Sequence, residues 1–369
     1  MNPTLAVEIA ERAEAIERAR GLPRDLVERM IDAGLFRLCL PRALGGEQAA
    51  PAEFAQRIEA VAAADGATGW CAMIASTSAL AGAFLAEPAA RAIYGPRTVS
   101  GGVFAPRGTA TAADGGWRLA GRWPFASGCR HCDWLMAGAL APGTDGKLEV
   151  RLFLLPAAEW TIHDTWHTAG LCGTGSHDIE VAERFVPAAH SFALGAGQPW
   201  SGGALYAFPA FGLLALGIAS VALGIARGAI DDFRALAAAR TPTLGRRRLA
   251  ERGQVQTTLA EAIGLVDAAR AFLGQAVTEA WQAAQAGAPL PVPMRARLRH
   301  AATHATQAAA DAVTRLHHAA GGGSIYLSSP LQRRFRDVHT ATQHMMVGPA
   351  TLELVGRLEL GLDTDVSML

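Results

Sequence analysis

The chain has 369 residues, half of them hydrophobic and 18% charged, with 33 basic and 33 acidic side chains. That balance excludes a disordered chain, which needs low hydropathy or high net charge, and leaves no basic excess to meet a nucleic-acid backbone. The length allows two or three structural units around a large core. Five cysteines (Cys39, Cys71, Cys129, Cys132, Cys172) form an odd, sparse set that fits a reducing compartment better than a disulfide framework.

The first stretch, MNPTLAVEIAERAEAIERARG, is amphipathic and carries acids, unlike the basic and apolar regions of a secretion signal, so a cytoplasmic protein is expected. Residues 1–95 read as helices. Leu22, Val27, Met30, Ile31, Leu35 and Phe36 recur at helical spacing, AEFAQRIEAVAAAD (52–65) forms a second helix, and a nearly uncharged third covers 67–86 and should be buried. From 96 to 195, Gly and Pro punctuate short β-type runs (GWRLAGRWPF, DWLMAGAL, KLEVRLFLLP, DIEVAERFVP). The alternation of Leu148, Val150, Leu152 and Leu154 is strand-like, which predicts a small antiparallel β domain. AGQPWSGG (196–203) has linker composition. Long Ala-rich helices follow to about 360, broken at 240–245, 286–294 and 320–330. The predicted fold is therefore α+β and mostly α: an N-terminal helical domain (1–95), a central β domain (96–195) and a C-terminal helical bundle (196–369).

Pro187 to Ala226 contains no Asp, Glu, Lys or Arg, and GLLALGIASVALGIA (212–226) is apolar enough to suggest a membrane span. The apolar part is short and Pro and Gly interrupt its surroundings, so a helix buried on all sides is expected instead, with no membrane. Cys129-Arg-His-Cys132 has the spacing of a zinc or redox pair, but no second pair completes four ligands, and two small packed residues are expected. His163/His167, His300/His304 and His317-His318 would share a face if helical. Without H-E-x-x-H they read as surface or hydrogen-bonded histidines, and no metal is expected. Gly321-Gly-Gly-Ser324 matches neither a dinucleotide fingerprint nor a P-loop and reads as a helix break. Arg246-Arg-Arg248 is either a solvated face or a phosphate clamp.

Five stretches, in this order, resemble the acyl-CoA dehydrogenase superfamily: PRALGG (41–46), GRWPFASGC (121–129), GLCGTGSHDIEV (170–181), RTPTLGRRRLAERGQVQTTLAEA (240–262) and PLQRRFRDVHTATQH (330–344). The resemblance implies a helical domain, a small β domain whose motifs line a flavin ring, a C-terminal four-helix bundle and a homotetramer. The dehydrogenases of that superfamily remove a proton with a glutamate. One family position for it, eight residues after Asp337, is Met345 here, and the other falls in the acid-free stretch 187–230. A general base needs a titratable group, so thioester oxidation is disfavoured.

What replaces it is similar to the two-component flavin-dependent monooxygenases of the superfamily, the branch of p-hydroxyphenylacetate hydroxylase, the secosteroid hydroxylases and dibenzothiophene monooxygenase. They carry W-x-F-x-S-G-C, G-T-G-S and an Arg-Asp followed at seven residues by His, as do Trp123–Cys129, Gly173–Ser176 and Asp337 to His344 here. The resemblance implies an oxygenase component that uses reduced FMN or FAD and O2, supplied with reduced flavin by an NAD(P)H-dependent flavin reductase, to hydroxylate a small aromatic or heteroaromatic substrate. The ending 344–365 resembles indole-acetate-type oxygenases. His344 is expected as acid–base catalyst, with Ser127 and Ser176 at the ring edge. Trp123, Phe125, Ser127, Gly128, Thr174, Gly175, Ser176, Arg240 and Gln256 are expected to hold the cofactor. Trp70, Ser78, His344 and Met345 should line the substrate pocket, Ser78 standing where several such oxygenases have a histidine. Trp70, Trp123 and Phe125 should keep the site dry, Gly173–Ser176 should let a ligand approach the backbone closely, and Arg336-Asp337 should form a structural ion pair. A dehydrogenase with its base elsewhere and a non-catalytic ligand-binding relative are the alternatives.

Overall fold

The chain begins with helices because its apolar residues recur every three or four positions and its caps are in place. Asn2 accepts the Thr4 N–H at the start of α1 (Pro3–Ala19), and Asp65 accepts the Thr68 N–H at 2.8 Å at the start of α4 (Gly66–Ser78). Between them lie α2 (Arg24–Asp32) and α3 (Pro51–Ala64), and α5 (Ala81–Phe84) and α6 (Glu87–Ile93) follow. A computed structural model describes residues 2–143, 146–195, 197–241, 245–287 and 289–369. Every residue of α4 is buried, as its lack of charge predicts. Two sequence readings are corrected. Leu35 and Phe36 are buried but lie beyond α2, because Gly34 at φ +70° turns the chain after Asp32. The run 67–86 is two helices, since α4 stops at Ser78 and α5 starts at Ala81.

Strands β1 (Ser100–Ala113), β2 (Gly116–Ala126), β3 (Trp134–Pro142), β4 (Leu148–Pro156), β5 (Thr161–His163), β6 (His177–Pro187) and β7 (Ser191–Ala193) form one sheet, ordered β5-β6-β2-β1-β3-β4-β7. The expected antiparallel sheet is mixed: β1 and β3 run parallel, whereas the other described pairs are antiparallel. The cause is the segment 127–133, which crosses from the end of β2 to the far side of β1. Alternation shows which face of a strand is buried, but not which neighbour it pairs with. That crossover carries the site.

The remainder is helical: α7 (Ala204–Ala207), α8 (Ala210–Ala239), α9 (Gly253–Gln285), α10 (Val292–Ala320), α11 (Pro330–Ala341) and α12 (Pro349–Glu359). Helices α8 to α11 form the bundle, and α3 packs along α8. Residues 212–226 are all buried inside α8. Two helical stretches, Gly66–Phe84 and Ala210–Ala239, are long and apolar enough to cross a membrane, and protein encloses 89% and 94% of their apolar windows. Small residues let α8 seat closely: a Cβ on Gly224 would lie 2.4 Å from the Glu59 carbonyl oxygen of α3. Of the expected breaks, Pro242–Leu244 and Ala288 lie outside the described residues, as does Ala196 of the linker.

Candidate functional site

Four separate segments bring Trp70, Ser127, Ser176, Thr174 and His344 together. Trp70 of α4 donates its indole Nε1–H to Ser127 Oγ at 3.1 Å. Ser127, just after β2, lies 2.7 Å from Ser176 Oγ, and Ser176 lies 2.6 Å from Thr174 Oγ1. Thr174 donates its hydroxyl to the Leu171 carbonyl at 2.8 Å. An indole N–H can only donate and a carbonyl can only accept, and each hydroxyl has one hydrogen. With Thr174 bonded to Leu171, the order of donation runs Trp70 to Ser127, Ser127 to Ser176, Ser176 to Thr174, Thr174 to Leu171. Ser127 and Ser176 are left with lone pairs alone for any ligand. The His344 ring stands 5.8 Å from the Trp70 ring, closing the group from the bundle side.

Phe125 is the exposed neighbour. It has φ +68°, the left-handed region that L residues avoid, and it is 65% exposed. A strained, solvent-facing aromatic is a mark of a binding surface. Its ring meets Trp166 edge to face at 6.1 Å, and Trp166 is held by its Nε1–H on the Leu171 carbonyl and by its backbone N–H on His177 Nδ1. Phe125 was expected to be buried, and the correction is that it is a platform. Trp123 is buried, as expected. It is 0% exposed, donates to the Gly138 carbonyl at 2.6 Å and packs across Gly108, so its side chain lies beneath the site within the sheet. The glycines are also corrected. A Cβ on Gly173 would meet Ile16 at 2.3 Å, and one on Gly175 would meet the Arg20 carbonyl at 2.7 Å, so these glycines admit α1 and its end to the motif. Gly128, at φ +73°, turns the chain out of β2 with its N–H on the Thr174 carbonyl.

His344 is half-buried and caps the turn Met345–Val347, with Nδ1 accepting the Met346 N–H at 3.2 Å. Burial, with the positive Arg299 nearby, pushes its pKa down to about 4. It is therefore neutral near neutral pH, which corrects the expectation of a group titrating there. Met345 is 64% exposed. Ser78 is 1% exposed and its hydroxyl has no partner among the described residues. Arg336 and Asp337 do not pair with each other: Arg336 bonds to Glu17 of α1 at 2.5 Å, and Asp337 accepts the Leu171 N–H at 2.6 Å. Desolvation, reinforced by Asp65, raises Asp337 to about 7. No Asp or Glu among the described residues hydrogen-bonds to Trp70, Ser127, Ser176 or His344.

Arg240 and Gln256 lie elsewhere. Arg240 ends α8 and donates to the Ala320 carbonyl at 2.9 Å, and Gln256 donates to the Ala250 carbonyl at 2.9 Å. Beside them an open cleft of about 410 Å³ is lined by Arg252, Arg315 and His318. Arg315 follows Arg299 by 16 residues on α10, roughly 24 Å along the axis. Cys129 and Cys132 are buried and burial raises both thiols, Cys129 to about 11. His163 pairs with Glu180 at 2.7 Å, His300 and His304 flank Phe272, and Arg246–Arg248 are exposed. Sequence reasoning gave no site role to Trp166 or Arg299, and no local motif marks either. The donor set that remains fits a planar heteroaromatic ring: an exposed aromatic platform beside a line of hydroxyl oxygens, with an imidazole across from it.

The acyl-CoA dehydrogenase N-terminal domain family matches residues 4–102, and the acyl-CoA dehydrogenase C-terminal domain family matches 216–349. The chain belongs to the acyl-CoA dehydrogenase superfamily. Within it, this protein is 34% identical to indole-3-acetate monooxygenase of Pseudomonas putida over 95% of this chain and 90% of that one. It is 32% identical to the oxygenase component of the FADH(2)-dependent resorcinol hydroxylase of Rhizobium sp., over 95% and 91%. The fold superposes on 3-HSA hydroxylase from Rhodococcus sp. RHA1 with TM-score 0.92 at 28% identity, covering 99% of this chain and 97% of that one. XiaF from Streptomyces sp., solved with FADH2 and glycerol, gives 0.90 at 27%, covering 99% and 95%. The protein is a flavin-dependent monooxygenase that uses reduced flavin and dioxygen.

Proposed function

We propose that the protein is the oxygenase component of a two-component system in the cytoplasm, receiving reduced FMN or FAD from an NAD(P)H-dependent reductase and hydroxylating a small aromatic or heteroaromatic compound. Indole and resorcinol rings, the substrates named for the relatives above, set the size. When bound, the reduced flavin supplies two electrons, so that one oxygen atom enters the substrate and the other leaves as water. The observation that carries the reading is the line of hydroxyls from Trp70 to Thr174 lying beside a strained, exposed Phe125, with no carboxylate among the described residues hydrogen-bonded to it.

In this reading Phe125 presents its face to the flavin, and Ser127 and Ser176 accept hydrogen bonds from the ring edge. Gly128, Thr174 and Gly175 shape the turns that carry them, and Trp123 supports the floor. Trp70, Ser78, His344 and Met345 border the substrate. Water must be excluded for coupling, and the buried wall of α4 contributes to that. Arg240 and Gln256 stand far along α10 from the chain's own hydroxyls, which favours a homotetramer in which they clasp the phosphate end of a neighbour's flavin. No carboxylate among the described residues is placed as a dehydrogenase base: Met345 cannot accept a proton, and Asp337 is engaged by the Leu171 N–H.

The test is a single turnover with reduced flavin in buffer made with 18O2, over a set of indoles and phenols. One 18O in a hydroxylated product supports the proposal. Reduction of bound oxidised flavin by an acyl thioester, with no labelled product from any ring, would sink it.

A further inference from the structure

Arg299 is a buried cation with no acidic side-chain partner among the described residues. It is 4% exposed, and no Asp or Glu side chain among the described residues forms an ion pair with it. Its guanidinium donates instead to neutral oxygens: the Met368 carbonyl, the Met346 carbonyl at 3.0 Å and Thr351 Oγ1 at 3.3 Å. A buried guanidinium with only dipolar partners is costly unless it serves a field or a geometry. Here it grips Met346, the residue whose N–H points at His344 Nδ1.

A backbone N–H can only donate, so Nδ1 of His344 must be the acceptor. The neutral ring then carries its hydrogen on Nε2. Nε2 has no hydrogen bond to any described residue and is not sealed off from solvent, so it retains access to a ligand. Burial, and then the positive charge of Arg299, oppose a second proton on the ring.

We infer that Arg299, through the backbone of Met346, sets His344 as an Nε2–H hydrogen-bond donor, and that the site takes a substrate presenting an anionic oxygen there: an ionised phenol or a carboxylate. This rests on the monooxygenase reading and specifies the substrate class within it. His344 is then a binding donor with no basic nitrogen facing the substrate, and a phenolic proton has already passed to water when the ring binds. Arg299 is a positioning residue. With Thr174 bonded to Leu171, the hydroxyls beyond Trp70 present acceptors, and His344 supplies a donor beside them.

Two experiments decide it. In the first, 15N NMR of histidine-labelled protein reads the tautomer directly. A protonated Nε2 and a bare Nδ1 at pH 7 are expected for His344, assigned by loss of the signal in His344→Gln. Arg299→Met should mix the tautomers and Arg299→Lys should restore the pattern in part. A proton on Nδ1 in the wild type overturns the inference. In the second, 4-nitrophenol serves as an optical probe, because its spectrum separates phenol from phenolate. Bound probe should be phenolate at a pH where free probe is mostly phenol. His344→Gln, which keeps an N–H donor and has no basic nitrogen, should weaken probe binding by about tenfold or less, a hydrogen bond partly preserved, and His344→Ala should weaken it more. Gln as deficient as Ala would refute the donor role, and probe bound as neutral phenol would refute the ionised substrate class. Neither readout depends on turnover. Failure of the oxygenase reading would appear separately, as wild-type protein that incorporates no 18O.

Discussion

At the scale of single residues, the site is a set of hydrogen-bond obligations. Ser127→Ala removes the acceptor of the Trp70 indole and the donor to Ser176 together. An unpartnered buried indole N–H costs about 1–3 kcal/mol. Urea unfolding should show a loss of that order, and the yield of hydroxylated product per reduced flavin should fall while hydrogen peroxide rises. Phe125 gives the opposite combination. Its left-handed backbone costs about 1–2 kcal/mol, and its edge-to-face contact with Trp166 returns about 0.5–1.5 kcal/mol. Phe125→Gly should therefore leave thermal stability nearly unchanged and lower the affinity for reduced flavin, measured anaerobically by titration. Unchanged affinity would remove Phe125 from the binding surface.

At the scale of elements, the loop 164–176 is held from several sides at once. Asp337 of α11 accepts its Leu171 N–H, His177 accepts its Trp166 N–H, and Arg20 at the end of α1 pairs with Asp164 at 2.8 Å. Asp337 is the pH-sensitive member. Its carboxyl is raised to about 7 in the fold from an ordinary 3.8, so between those values the native state binds more protons than the unfolded chain. By linkage, that contribution to stability falls as pH rises from about 4 to 7. Asp337→Asn keeps an oxygen acceptor for Leu171 and removes the buried charge. Unfolding midpoints at pH 5 and pH 8 should differ less in Asp337→Asn than in the wild type. An identical pH slope would show that Asp337 does not titrate in that range.

At the scale of the whole molecule, α8 is the axis. Its charge-free stretch is enclosed by α3, α10 and α11, and the contact with α3 depends on the absence of side chains at Gly224 and Gly228. Overpacking a seated core costs about 1–3 kcal/mol, and a Cβ at Gly224 would face the backbone carbonyl of Glu59, which cannot rotate away. Gly224→Ala should lower the melting temperature accordingly. If it does not, the two helices are less tightly joined than their geometry indicates.

How much of this was legible in the sequence follows from what each signal encodes. Periodicity found α3, the burial of α4 and the enclosure of residues 212–226, because burial face and helical spacing are local properties. It overran α2 because Leu35 and Phe36 are as apolar as helix residues, and only Gly34 marks the turn. The parallel pairing of β1 with β3 was invisible, since it depends on where a seven-residue crossover lands. Motif resemblance brought forward Trp70, Ser127, Thr174, Ser176 and His344, which do converge. It misjudged the exposure of Phe125, two residues beyond the buried Trp123 on β2, where the left-handed backbone at Phe125 upsets simple alternation. Arg299 and Trp166 belong to the site through three-dimensional contacts that leave no local mark.

The line of hydroxyls from Trp70 to Leu171 has one further consequence. Because every hydrogen in it is committed in sequence, no single serine can turn round alone: a ligand that asks Ser127 to point outward would strand Ser176 and, behind it, Thr174. Reorientation is collective, all members or none, so the row behaves as a single two-position device. The wall thereby favours guests that bring their own N–H to it.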